Sequence, residues 1–262
     1  MRGTARLVRS LFQAGEIDGF LAFKEVQGQA VPFLFTPNQP DELAFLCDPG
    51  SLPRYPMERI LLAIARIHPQ AKLGMLTREC DARGLNELVK GNQIHPDRVL
   101  SVPLACCQSD LSLPTPCSHL SGQDQDPQEK PLPPRGLGKN ITFKQLSALA
   151  PDERFQRWQE EFAKCIKCYG CRNVCPVYIC KECVLEDNEL IPAGQIPPDF
   201  SFHLIRACHM AGYCIDCGLC EEACPAEIPL RFFYRGVNQI VEKTFGYKPG
   251  AEGECSPFHR IV

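Results

Sequence analysis

Lys164 to Pro176 reads K-C-I-K-C-Y-G-C-R-N-V-C-P, and Tyr213 to Pro225 reads Y-C-I-D-C-G-L-C-E-E-A-C-P. The same spacing, C-x2-C-x2-C-x3-C-P, thus occurs twice, 49 positions apart. Three closely spaced thiolates on a turn can hold three irons of a 4Fe–4S cube. The fourth Cys, set before a Pro that turns the chain away, reaches the other cube of a pair. By that crossing, Cys165, Cys168, Cys171 and Cys224 hold one cube, and Cys214, Cys217, Cys220 and Cys175 hold the other. Neither cube is complete without the opposite run. The competing reading is two redox-silent zinc sites of four thiolates each, but zinc ribbons use paired C-x2-C knuckles rather than a run of four ending in Pro.

Eleven of the 17 cysteines lie between Cys165 and Cys224, and the other six are Cys47, Cys80, Cys106, Cys107, Cys117 and Cys255. Cys180 and Cys183 form a further C-x2-C pair that neither cube needs. Cys80 closes K-L-G-M-L-T-R-E-C, and Cys106-Cys107 close V-L-S-V-P-L-A-C-C. If those two runs are neighbouring parallel strands, both end at the carboxyl edge where α/β sheets place ligands. Cys80, Cys106, Cys180 and Cys183 could then complete a third cluster, with Cys47 and Cys117 in reserve. The plain alternative is that these cysteines pack as small hydrophobes. Cys208 falls beside Leu204 and Ile205 on a predicted helix and is assigned to core packing. His209, next to it, is either a surface residue or a hydrogen-bonding group beside a cluster. Cys255 lies in a Pro- and Gly-rich tail and is given no role. Ile166, Ile215 and Tyr169, between the ligands, are expected to shield the cubes.

Elements that could position these residues follow from the apolar periodicity. Ala5–Ala14 is predicted helical, with Leu7, Val8, Leu11 and Phe12 on one face and Gly15 as its stop. Gly19–Val26 and Ala30–Thr36 are predicted strands joined through Gln27-Gly28. Pro56–Ile67 is a second helix, and strand (72–77), helix (81–90), strand (99–104) implies a parallel βαβ step. Residues 108–140 carry Pro114, Pro116, Pro127, Pro131, Pro133 and Pro134 among Ser, Gln and Asp, and read as an extended or partly disordered linker. Its R-G-L-G-K stretch lacks the full phosphate-loop pattern and the preceding strand, so no phosphate role follows. Beyond it, helices are predicted over Pro151–Lys164, Phe202–Met210 and Leu230–Phe245, the last stopped by Gly246. The reading is an α/β domain over 1–107, the linker over 108–140, and a mainly helical two-cluster domain over 141–262.

Net charge is −3 and pI about 6.1, so no excess of basic charge points to nucleic acid or anionic lipid. Glu16 and Asp18 interrupt any signal-peptide core, and no apolar run approaches the roughly 20 residues that span a bilayer. A cytoplasmic chain without direct membrane insertion is the expectation. An odd number of cysteines in C-x2-C pairs favours metal over disulfides.

The 38 residues between Cys175 and Cys214, with flanking helices, resemble the alpha-helical ferredoxin domains found in iron–sulfur subunits of succinate dehydrogenase and heterodisulfide reductase. K-L-G-M-L-T-R-E-C-D-A-R-G-L-N-E-L-V-K-G-N-Q-I resembles the strand–Cys–helix segment of the beta-subunit family of deazaflavin-reducing hydrogenases and formate dehydrogenases. C-I-K-C-Y-G-C-R-N-V-C-P-V-Y-I-C-K-E-C and H-L-I-R-A-C-H-M-A-G-Y-C-I-D-C-G-L-C-E-E-A-C-P are similar to ferredoxin segments attached to that family. The resemblance implies a 4Fe–4S electron-transfer subunit of a multi-subunit oxidoreductase of anaerobic metabolism. Its implied partners are a heterodisulfide-reductase-type flavoprotein, or a formate dehydrogenase or hydrogenase module. Full-size relatives carry FAD and reduce the deazaflavin; here the first domain is short and has no G-x-G-x-x-G.

Three functions compete on this reading. Clusters without an evident substrate pocket make the chain an electron relay. A flavin in the first domain would make it a reductase of a deazaflavin-type hydride carrier, the helix from Asp81 facing a phosphate although Asp81 itself is unfavourable there. Clusters with a purely structural role would make it a redox-sensing interaction module.

Overall fold

A computed structural model describes residues 2–48, 54–104, 143–253 and 255–258. Its contacts divide the chain into two compact units, Met1–Leu113 and Pro114–Val262. The expected linker, and with it Cys106, Cys107 and Cys117, lies outside the described residues.

The first unit is a four-stranded mixed sheet with helices. Helix α1 (Arg2–Gln13) buries Val8 and Leu11, while Leu7 is 43% exposed and lies off the buried stripe. Gly15 then takes a positive φ of 67°. Strands β1 (Gly19–Val26) and β2 (Gln29–Phe35) form an antiparallel hairpin through Gln27 and Gly28. Both turn residues have positive φ, 52° and 78°, which matches the right-handed twist of the strands they join. Pro32 cannot donate to a ladder, and β2 accordingly stands at the sheet edge.

Helix α2 (Met57–Ile67) leads into β3 (Leu73–Thr77), α3 (Glu79–Lys90) and β4 (Val99–Pro103). The sheet order is β2-β1-β3-β4, with β1–β3 and β3–β4 parallel. Every residue of β3 is buried, as a central parallel strand requires. The core is built from Phe20, Phe23, Phe35, Met57, Leu61 and Met75. These elements follow the expected order, and the βαβ step is parallel as its spacing implies.

One acid inside this unit is placed at a cost. Glu58 in α2 is 2% exposed, and its Oε2 has no hydrogen-bond partner. A Cβ on Gly84 of α3 would stand 2.4 Å from Glu58 Oε1, so any larger residue there would displace the acid's side chain. Burial first, then the charge of Asp81, push the Glu58 carboxyl well above its ordinary range; Arg78 and Arg83 offset this only in part. A carboxyl raised in the folded state favours folding below its unfolded value, and that contribution is lost as pH rises through the folded value. Glu58→Gln is therefore expected to match the parent in acid and to exceed it at mildly alkaline pH. Each pKa unit of elevation is worth about 1.4 kcal/mol. Hydrogen exchange of the α2 and α3 amides at the two pH values checks this; equal protection at both would overturn it.

The second unit is helical. Helices α4 (Phe143–Ala148), α5 (Pro151–Phe162), the short α6 (Gly170–Asn173), α7 (Phe200–Met210), the short α8 (Leu219–Glu222) and α9 (Leu230–Phe245) follow in order. Pro151 at the first helical position with Asp152 and Glu153 behind it suits a helix start. Gly246 ends α9 in the left-handed region at φ 65°. The core joins α5, α7 and α9 through rings. Phe162 stacks on His203 at 3.9 Å and on Trp158 at 5.4 Å, and meets Phe233 edge-on at 5.0 Å.

Helix α7 corrects one sequence reading. Cys208 is exposed and Leu204 is 49% exposed; the buried residues are Phe202, His203, Arg206, Ala207 and Met210. The buried stripe of α7 includes a histidine and an arginine, so a hydrophobic-face reading selects the wrong side. Among the described residues, no helix is long and apolar enough to cross a membrane.

Candidate metal centre

The two cysteine runs fold alike. After Cys165 and Cys214 the backbone passes through positive φ at Lys167 (53°) and Asp216 (54°). It does so again at Tyr169 (58°) and Gly218 (82°), and then enters α6 or α8. These reversals turn amide N–H groups toward sulfur. The Lys167 amide donates to Cys165 Sγ at 3.4 Å, and the Asp216 amide donates to Cys214. Amide donors that favour a charged sulfur are among the groups that set a cluster's potential.

Where the second loop uses Gly218, the first holds a bulky residue in the left-handed region, at a cost of about 1–3 kcal/mol. Three contacts hold Tyr169 there. Its hydroxyl donates to the Leu185 carbonyl at 2.9 Å, its ring meets Phe202 edge-on at 5.7 Å, and the Arg172 guanidinium lies 4.6 Å from the ring centre. The Tyr169 ring thereby ties the first cysteine loop to the segment after Cys183.

Two cavities open inside these loops. One, of about 350 Å³ including its mouth, is lined by Cys165, Cys168, Cys171 and Cys224. The other, of about 380 Å³, is lined by Cys175, Cys214, Cys217 and Cys220. The fold thus brings the last cysteine of each run to the cavity of the other run. Among the described residues no three His, Cys, Asp or Glu side chains converge tightly enough to hold one metal ion. The cysteines instead ring two spaces. A ring of four thiols around a space suits a cube, which takes one thiolate at each of its four irons.

Burial dominates the electrostatics. It pushes Cys171 up to about 11, and Cys214 and Cys220 further, with neighbouring sulfurs adding to the effect. Cys165 is raised by the same cause. Thiols so buried resist ionising unless positive charge arrives with the metal. The sulfur of Cys171, on the first cavity, is among the charges acting on Cys220 of the second, so the two sites are electrostatic neighbours.

The polar lining differs between the sites. At the first, the outer one, Cys168 is exposed and Ile166 is 51% exposed, so Ile166 does not provide the expected shield. His203 lines this cavity with its Nε2 buried and unpartnered, and burial lowers it to about 4, so the ring stays neutral. At the second, called deep for the burial of its lining residues, Cys175 is 8% and Ile215 3% exposed. Arg206, Asp216, Arg231 and Tyr234 line this cavity. Burial alone would raise the Asp216 carboxyl, but Arg231 at 2.8 Å and Arg235 at 2.7 Å hold it below its usual range. His203, Arg206 and Tyr234 escape sequence reasoning because each sits on a helix without ligand-spaced neighbours. A spacing of three between His203 and Arg206 was the available signal. His209, considered instead, is exposed and lines neither cavity.

The other described cysteines line neither cavity. Cys180 is exposed, and Cys183 is half-buried beside Tyr178 and Arg172, which also pairs with Glu186 at 2.8 Å. Cys80, in the first unit, is 6% exposed in the first turn of α3, at the carboxyl end of β3, with Sγ 3.7 Å from Asp81 Oδ1. Asp81 turns back to accept from the Arg78 amide at 2.9 Å and from its guanidinium. The start of α3 therefore already holds a carboxylate where a phosphate would sit. Cys47 is half-buried in the first unit, and Cys255 is exposed.

No family model matches the chain. It is 38% identical over 126 residues to the F420-dependent formate dehydrogenase subunit beta of Methanocaldococcus jannaschii, a match covering 48% of this chain and 33% of that protein. It is 44% identical over 122 residues to the F420-dependent formate dehydrogenase 1 subunit beta of Methanococcus maripaludis, covering 46% and 31%. About half of the chain is thus formate dehydrogenase beta-subunit-like, and the match spans about a third of the length of these curated relatives.

Proposed function

We propose that the chain is an iron–sulfur electron-transfer subunit of a multi-subunit oxidoreductase, with one 4Fe–4S cluster in each cysteine-lined cavity. The observation that carries this reading is the pair of cavities, each ringed by four cysteines drawn from both runs. Bound clusters would supply single-electron storage at two neighbouring points. The chain's own part is to hold them by Cys165, Cys168, Cys171 and Cys224, and by Cys175, Cys214, Cys217 and Cys220. Amides of Lys167 and Asp216 would polarise the sulfurs, and Ile215 would exclude water from the deep site. Similarity to formate dehydrogenase beta subunits supports a place in such a complex, beside a flavoprotein or a formate dehydrogenase or hydrogenase module.

A third cluster held by Cys80, Cys106, Cys180 and Cys183 belongs to the same proposal. Iron and sulfide on anaerobically purified protein test it: about twelve irons per chain are expected, against about eight with two cubes. Replacing Cys180 and Cys183 together by Ser should remove about four of the twelve. An unchanged count would remove this pair from the ligand set, and tightly bound zinc in place of iron would overturn the whole reading.

The F420 dependence in the relatives' names favours a second reading, service to a deazaflavin hydride carrier, for which the family resemblance would put a flavin in the first unit. Flavin absorbance released on precipitating the protein would support it, whereas a colourless supernatant from cluster-loaded protein would sink it.

A further inference from the structure

Two buried polar groups in the second unit are left short of hydrogen-bond partners. Arg206 is 4% exposed, and its Nε finds no partner. Its guanidinium makes a long hydrogen bond, from Nη2 to the Cys171 carbonyl at 3.5 Å. Tyr234 is 3% exposed, and its hydroxyl has no partner either. Both side chains line the deep cavity of Cys175, Cys214, Cys217 and Cys220. A guanidinium with one long hydrogen bond and a phenol with none, both kept dry, cost stability. Burying both beside the same cavity calls for an acceptor inside it.

The other charges at this site do not supply one. Asp216 is taken by Arg231 and Arg235, and the Arg231 amide also donates to Glu221 at 3.2 Å. Arg206 interacts most strongly with Cys175 of this cavity, then with Tyr234, Cys171 and Cys220, so part of its field also reaches Cys171 of the outer cavity. The outer cavity has a different lining. Its cation is Lys167, whose Nζ is turned to the Pro192 carbonyl at 2.7 Å in an exposed position where water screens it. One turn before Arg206 on α7, the residue at that cavity is the neutral His203.

We propose that Arg206 and the Tyr234 hydroxyl are the potential-setting groups of the deep site, supplying there the positive charge and the hydrogen bond that burial takes away. The inference rests on the cluster reading above. Adding one electron to a buried site adds one negative charge, which a low-dielectric surrounding opposes. A guanidinium whose charge no carboxylate neutralises and a donor to sulfur would reverse that penalty, so the deep site would stay reducible by its outer neighbour. In that transfer the outer site loses one electron and the deep site gains one. No proton moves, since Arg206 stays charged throughout. Arg206 and Tyr234 are positioning groups in this role and are not cluster ligands.

Redox titration of the anaerobic full chain, followed by electron paramagnetic resonance, tests the assignment. The two signals are first assigned with Cys165→Ala and Cys214→Ala, each of which disturbs one site. Tyr234→Phe removes a single unpaired oxygen and keeps the packing; it should shift the deep-site midpoint to lower potential, and by more than the outer one. Arg206→Gln should produce a larger shift in the same direction, and Arg206→Lys should restore most of it. Iron content equal to the parent in these variants shows that the sites remain loaded. Equal shifts at both sites, or an unmoved deep-site midpoint with full iron in Tyr234→Phe and Arg206→Gln, would overturn the proposal. A parent protein with no iron and no such signals would instead refute the cluster reading itself.

Discussion

Cys224→Ala is expected to destroy the cluster site of the first run, although Cys224 belongs to the second. Cys224 lines the cavity of Cys165, Cys168 and Cys171, and Cys175 lines that of Cys214, Cys217 and Cys220. A cube with three thiolates has one iron open to solvent and oxidant. Loss of that cube should lower iron by about four per chain. The informative measurement is the spectrum of what survives. Reduced Cys224→Ala should match Cys165→Ala, and reduced Cys175→Ala should match Cys214→Ala. If Cys224→Ala instead matches Cys214→Ala, each run holds its own cluster and the crossed reading is wrong. The expected effect is large because the ligands are few: no cysteine beyond these four lines the outer cavity among the described residues.

Phe162→Ala is expected to cost about 3–5 kcal/mol, as for other large buried aromatic residues cut to alanine. Phe162 is 2% exposed, and its ring meets Trp158, Phe200, His203 and Phe233 at separations from 3.9 Å (His203) to 5.4 Å (Trp158). The ring thus joins α5, α7 and α9 directly. Its removal leaves a void against His203, which lines the outer cavity, so the damage should reach the metal site before the unit unfolds. Thermal loss of the visible iron–sulfur absorbance should therefore begin well below the parent's temperature. Phe155→Ala is the control: Phe155 lies on the same helix but is 48% exposed, and a change within about 1 kcal/mol is expected. Comparable losses from both variants would mean that the aromatic layer does not support the site.

The hairpin at Gln27-Gly28, the parallel step from β3 through α3 to β4, and the limits of α2 and α9 were all legible from local signals. Period, proline and glycine act within a few residues, and so they can be read in order along the chain. Helix α7 was half legible. Its existence followed from its length and composition, but its buried side did not, because His203 and Arg206 face inward while Cys208 and Leu204 face water. Periodicity rules assume an apolar interior, and this interior includes a histidine and an arginine. The same cause hid Tyr234, whose ring reads as ordinary core and whose unpaired hydroxyl has meaning only beside a cavity.

The sequence by itself determined the donor chemistry: eight cysteines in two like-spaced runs, each ended by a proline, and a further C-x2-C pair beyond the first. Ligand type and spacing within a turn are local properties, so they survive in a linear reading. Tertiary structure alone decided how those cysteines are grouped around two cavities, which group is the more buried, and which polar side chains stand at each. Those outcomes depend on helices distant in sequence packing together. Burial, and the value of a charge or hydrogen bond within it, exists only once that packing has excluded water.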